Sequence, residues 1–153
     1  MTATNQDLLT AQHRSMELGI RGLVDGSGSR RELTDAVYLL RRHIYVEEAF
    51  LFPVIELDQR RLMALAQMRY EHGDMWPHLE SALDLLTAKA PLDDLLPASA
   101  ALLNLLRIHD RKEEEAIYSV ADRYPADAAS PALAALLATN GIPANWKCRY
   151  APG

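Results

Sequence analysis

Two histidines in this chain are each followed by a glutamate four residues later, His43–Glu47 and His109–Glu113. The phrases around them are alike: His-Ile-Tyr-Val-Glu-Glu at 43–48 and His-Asp-Arg-Lys-Glu-Glu at 109–114. Each has an aromatic residue nine positions after its histidine, Phe52 and Tyr118. Side chains one helical turn apart share a face. Both pairs fall on apolar faces, where a core normally carries leucine. His13 and His72 fall on apolar stripes of two other segments. Buried imidazole and carboxylate groups are costly unless they are paired or bind a metal. Nitrogen and oxygen donors together suit iron, manganese or zinc. If two six-coordinate metals share this set, each takes two histidine nitrogens and one oxygen from each of Glu47 and Glu113. An added oxo or hydroxo bridge fills roughly five of six positions per metal and leaves one open to a small ligand. A single four-coordinate zinc site is the alternative.

The elements that must position these residues are helices. Leucine and alanine are abundant and phenylalanine is rare, which favours helix over strand. The first segment, about Asn5 to Val24, carries Leu9, His13, Met16, Ile20 and Leu23 at spacings of three and four. Asp25-Gly-Ser-Gly-Ser forms a turn. Ser29-Arg-Arg-Glu32 reads as a capping box for a second helix striped by Ala36, Leu40, His43, Glu47 and Phe50, with Pro53 ending or kinking it. A third helix from about Asp58 carries Leu65, Met68, His72, Met75, Leu79, Ala82 and Leu86, with a kink expected at Pro77. After Ala90-Pro-Leu-Asp-Asp, a fourth carries Ala98, Leu102, Leu105, His109, Glu113, Ala116 and Val120, and ends at Tyr124-Pro125. A short fifth helix is expected from Pro131, capped by Ser130 and stopped by Asn140-Gly141. The prediction is an all-α, antiparallel up-down four-helix bundle with a short C-terminal fifth helix. It forms one domain over 1–153, with the bundle at about 5–125 and a C-terminal helix and tail at 126–153.

A formal net charge of −5 and dispersed Arg-Arg pairs at 30–31, 41–42 and 60–61 argue against nucleic acid as a partner. No apolar run is long enough for a membrane span, and the first residues lack the pattern of a signal peptide. The single cysteine, Cys148, excludes an internal disulfide and fits a reducing cytoplasm. The tail with Trp146, Cys148 and Tyr150 is expected to pack on the bundle without taking part in chemistry.

The ordered set His13, His43-x-x-x-Glu47, His72, His109-x-x-x-Glu113 resembles the hemerythrin-like family, the HHE cation-binding domain. Glu47-Glu-Ala-Phe-Leu-Phe-Pro53 and Tyr70-Glu-His72 carry the same resemblance, which spans about residues 8–125. It implies a bundle holding a non-haem di-iron centre with two bridging carboxylates and an oxo group. The implied partner is a small oxidant: dioxygen, peroxide or nitric oxide. Reversible dioxygen binding, oxygen or iron sensing and peroxide decomposition are the implied activities.

The chain departs from the founding pattern twice. Trp76 stands where a fifth histidine is expected. The His-x-x-x-x-Asp register of the last helix gives Glu114, so Glu113 is preferred and Glu114 kept as the alternative. Loss of a histidine moves the expectation from oxygen carriage toward redox turnover or sensing. Trp76 and Tyr118 are expected at the pocket edge, Tyr118 mainly in packing, with a hydrogen-bonding or ligand role as the alternative. Glu48, Glu114 and Glu115 are read as solvated or bonded to ligand histidines. His78 lies about 120° from His72 around an ideal helix and is expected in solvent or behind the ligands, with inward rotation at the Pro77 kink as the alternative.

Overall fold

The computed structural model describes residues 2–139 and 141–152, and no strand occurs among them. Helices α1 (Asn5–Asp25), α2 (Arg30–Val46), α4 (Leu62–Thr87) and α5 (Leu92–Ala116) form the bundle. A π-helical turn at Glu47–Leu51 extends α2 into the short α3 (Phe52–Ile55). A 3-10 turn at Gln59–Arg61 precedes α4, another at Tyr118–Arg123 follows α5, and α6 (Leu133–Ala138) closes the helical part. Helix α1 packs on α2 and α5, and α4 packs on α5 and α2. Short connections make these neighbours antiparallel. No helix among the described residues is long and apolar enough to cross a membrane.

Local chemistry sets the helix ends. Thr4 and Asp7 form a reciprocal capping box at α1, each side chain accepting the other's backbone N–H at 3.1 Å. Gly26 ends α1 with φ of 80°, a conformation in which a Cβ would be strained. Ser29 caps α2 by accepting the Glu32 N–H at 3.2 Å. The Glu32 carboxylate accepts from the Ser29 hydroxyl.

The core falls into two apolar clusters. One gathers Met16, Ile20, Leu40, Met75, Leu79, Leu102 and Leu106. The other gathers Leu9, Val46, Leu51, Phe52, Met68, Ile117 and Leu133. Along every long helix the histidine stands where one cluster gives way to the other. His13 lies between Leu9 and Met16, and His72 between Met68 and Met75. The polar layer is therefore enclosed by apolar packing above and below.

Several details differ from the periodicity. Pro53 does not end the second helix. Proline clashes with the carbonyl four residues before it, and the wide turn lets the chain continue to Ile55. That turn shifts the register, so Leu51 and Phe52 are buried while Phe50 is only half-buried. Helix α4 carries Pro77 inside it, at the position where a kink and not an end was expected. In α5, Leu106 rather than Leu105 is buried. The α-helix stops at Ala116 and gives way to 3-10 geometry before Tyr124. Ser130 is not the cap of α6. It closes a turn on the Asp127 carbonyl, and the Pro131 carbonyl accepts the Tyr124 hydroxyl, so the helix opens after Ala132. Asn140 lies outside the described residues.

The tail does pack back. Trp146 meets Trp76 and Tyr45 edge-on, and Tyr150 lies against Tyr70. Its backbone approaches α4 at Gly73, where an added methyl would overlap the Tyr150 carbonyl. Gly73→Ala is expected to cost about 1–3 kcal/mol of stability by overpacking. Denaturant unfolding should show that loss, with faster protease cleavage of residues 144–151.

Candidate metal centre

Each bundle helix delivers one histidine: His13 from α1, His43 from α2, His72 from α4 and His109 from α5. Glu113 follows His109 by one turn on α5, and Glu47 follows His43 at the start of the π turn. All six are at most 3% exposed. The rings form two pairs, His13 with His43 at 4.9 Å and His72 with His109 at 4.7 Å between centroids. Phe52, brought inward by the π turn, stacks on His72 at 5.8 Å and 7°.

Every one of the four imidazoles presents Nδ1 to an oxygen outside the cluster. His13 Nδ1 faces Glu114 at 3.3 Å and His43 Nδ1 faces Gln12 at 2.8 Å. His72 Nδ1 faces Glu48 at 2.6 Å and His109 Nδ1 faces Glu71 at 2.9 Å. An oxygen acceptor on Nδ1 places the hydrogen there and leaves the Nε2 lone pair for the inside. Inside stand the carboxylates. Glu113 Oε1 is 3.1 Å from His13 Nε2, and its Oε2 is 3.3 Å from His109 Nε2 and 3.8 Å from His72 Nε2. Glu47 Oε1 is 3.4 Å from both His43 and His72 Nε2. Two groups of ligand atoms result, His13–His43–Glu47–Glu113 and His72–His109–Glu113, each within 4.8 Å. Glu47 Oε1 and Glu113 Oε2 are buried and accept no hydrogen bond. Acceptors facing acceptors without hydrogens between them call for a cation.

The hemerythrin HHE cation binding domain model matches residues 4–121. The chain belongs to that family. No curated protein and no solved structure matched it. As an HHE domain it binds metal cations, and the buried histidine and glutamate groups are the place that fits one.

The electrostatics of this HHE domain agree with its geometry. Burial opposes charge on His13, but hydrogen bonds to Glu113 and Glu114 and the nearby Asp110 charge outweigh it and raise its pKa to about 11. The same balance, against Glu47 and Glu48, raises His72 to about 10. Against Glu113 and Glu71, it raises His109 to about 9. Burial works against ionised Glu47 and Glu113, and the surrounding histidines still hold both carboxyl groups below the usual range. Without metal, protons on the imidazoles supply the positive charge that the cage requires.

The structure brings together all six residues expected as ligands and separates the two carboxylates of the last helix. Glu113 enters the cluster, and Glu114 bonds the outer nitrogen of His13. Glu48 also takes an outer position, while Glu115 is exposed. Trp76 is turned by two contacts. Its N–H donates to Glu80 and its ring packs on Trp146. His78 is half-buried and takes no part.

Tyr118 is not a packing residue at the edge. Its hydroxyl lies within 2.7–2.9 Å of His13, His43, Glu47 and Glu113. Burial and the Glu113 and Glu47 charges hold that hydroxyl protonated well above its usual range when no cation is present.

Sequence reasoning assigned no site role to Gln12, Glu71, Asp110 and Cys148. Glu71 adjoins His72, yet it serves His109 across the helix pair and also accepts from Lys112 at 2.6 Å. Asp110 is buried, with its Oδ1 3.3 Å from His13 Nε2 and no hydrogen bond to either oxygen. Burial raises its pKa to about 8, even though the charges of His13 and His109 pull it down. Cys148, from the tail, donates to the same Glu48 oxygen that holds His72. Burial, and then the Glu48 charge, push its thiol up to about 12, so the sulfur is a hydrogen-bond donor here.

A pH dependence follows for metal-free protein. Histidines raised from 6.5 stabilise the fold fully below pH 6.5, and lose that contribution as pH rises through 9 to 11. The lowered glutamates contribute above 4.5 and lose it as pH falls. Melting of chelated protein, followed by circular dichroism, should therefore show falling stability from pH 7 to pH 10. Metal-loaded protein should show a flatter profile, because the cation replaces those protons.

Proposed function

We propose that this HHE domain holds two iron ions and binds or reduces dioxygen or a reactive oxygen species, with peroxide turnover as the enzymatic form. The observation that carries this reading is the convergence of four imidazole Nε2 atoms on two shared carboxylates. Mixed nitrogen and oxygen donors suit iron or manganese, and six side chains exceed what one zinc requires. Iron in such a cage supplies electron exchange with a small oxidant.

The protein's own groups do the rest. His13, His43, His72 and His109 hold the metals. Gln12, Glu48, Glu71 and Glu114 fix the ring orientations. Loss of such an outer partner typically weakens metal binding 10–100-fold. Asp110 stands beside the cluster, with its Oδ1 3.3 Å from His13 Nε2. Enclosure of the polar layer between two apolar clusters restricts access to molecules of a few atoms. The reading places the protein in the cytoplasm, with no nucleic-acid or membrane partner.

Anaerobically purified protein is expected to contain about two irons per chain, as in other carboxylate-bridged helical bundles. His109→Ala and Glu113→Ala should each lose metal occupancy, whereas His78→Ala should keep it. Protein without metal whose melting temperature does not respond to added iron would sink the reading. Peroxide added to the ferric protein should evolve dioxygen at an oxygen electrode.

One contact favours a second role as an iron or oxygen sensor. The Cys148–Glu48–His72 chain joins the cluster to a surface segment, which gives a partner something to read. Absence of dioxygen evolution, together with protease sensitivity of the tail that depends on iron, would select the sensor.

A further inference from the structure

We propose that Tyr118 is a seventh protein ligand. Its phenolate oxygen would bind the metal of the His13–His43 half and leave the His72–His109 half as the one open to an external ligand. This rests on the two-metal reading above. The Tyr118 oxygen has four polar neighbours, and each is a ligand atom. His13 Nε2 lies at 2.8 Å, His43 Nε2 at 2.9 Å, Glu47 Oε2 at 2.7 Å and Glu113 Oε1 at 2.9 Å. The hydrogens of both imidazoles are committed outward, to Glu114 and Gln12. With both imidazoles neutral, one phenol hydrogen is left among five atoms that all present lone pairs. No arrangement of neutral hydrogen bonds satisfies that set, and a cation at its centre does.

The spacing agrees. Around an octahedral ion with donors at about 2.1 Å, each donor has four neighbours about 3.0 Å away. Tyr118 has that environment. A bound cation is the largest local charge and reverses the preference of nearby acids for their protonated form. As the metal enters, the phenol proton and the Nε2 protons of the charged histidines leave to solvent, and the oxygen and nitrogen lone pairs they vacate take the cation.

The repeated phrase explains why only one half gains this donor. Phe52 and Tyr118 each stand nine residues after a ligand histidine and five after a ligand glutamate. Phe52 stacks on His72 and Tyr118 stacks near His13, at 5.0 Å and 27°. The two positions correspond, and only one bears a hydroxyl. The His13–His43 half then has five protein donors. The other gathers three, His72, His109 and Glu113, with Glu47 Oε1 3.4 Å from His72 Nε2. Trp76, with its N–H turned to Glu80, adds none.

Resonance Raman spectroscopy of the ferric wild-type protein tests this. A phenolate-to-ferric charge-transfer band that enhances tyrosine ring vibrations is expected. Tyr118→Phe should bind iron and lose that band, and Tyr45→Phe should keep it. Azide should bind the ferric wild type while the ring vibrations persist. Iron-loaded wild type without these vibrations overturns the assignment and leaves the two-metal reading standing. So does their persistence in Tyr118→Phe, or their loss on adding azide. Failure of the wild type to bind iron at all overturns both. The wild-type spectrum decides even if Tyr118→Phe does not fold.

Discussion

Everything in this bundle is arranged around an excess of acceptors at one level. Four imidazole lone pairs and two carboxylates face one another with too few hydrogens between them. A protein interior tolerates that only if positive charge occupies the space. Protons on the histidines meet the need in part, and a metal ion meets it better. The outer acceptors on each Nδ1 follow from the same constraint. They prevent the rings from turning over and burying their hydrogens inward, which would remove the conflict and with it the site.

The apolar scaffold serves this layer in two ways. Clusters on both sides hold the four helices at fixed separation, so that side chains from different elements meet at hydrogen-bond distance. They also exclude water, which strengthens every interaction inside. The tail completes the enclosure over α4. Its contact at Gly73 brings Cys148 to Glu48 and so adds a hydrogen bond behind His72. An element with no chemistry of its own thereby helps orient a ligand.

Much of this was legible in the sequence, because helical spacing forces the faces. His13, His43, His72 and His109 each sit within a three-four stripe of leucines and methionines, and those stripes became the core. Glu47 and Glu113 followed from the one-turn offset. Of the outer residues, Glu48 and Glu114 were anticipated as partners of ligand histidines, and Gln12 and Glu71 were not. Gln12 precedes a ligand, Glu71 precedes another, and each serves a histidine on a different helix. Such pairings depend on how helices pack, which the period of one segment does not encode. Tyr118 was the most instructive case. Counted along a continuous helix it belonged on the edge, but the α-helix stops at Ala116 and the tighter turn swings its ring into the centre. The signal was present in the aromatic shared by both phrases at the same offset. Trp76 is a second residue whose contacts the helical period did not encode. Its place one turn after His72 suggested the pocket, while the indole N–H was drawn to Glu80.

A helix that passes from α to π and back holds one residue more than a straight helix of the same reach. Here the extra residue falls within Glu47–Leu51. A chain of like architecture that is straight at this point reaches the same downstream register with one residue fewer between its glutamate and its proline. Aligned with this sequence, it opens a single-residue gap inside a helix, where gaps are ordinarily taken as errors. Such a gap marks a chain in which no aromatic after the glutamate is carried round onto the third-helix histidine.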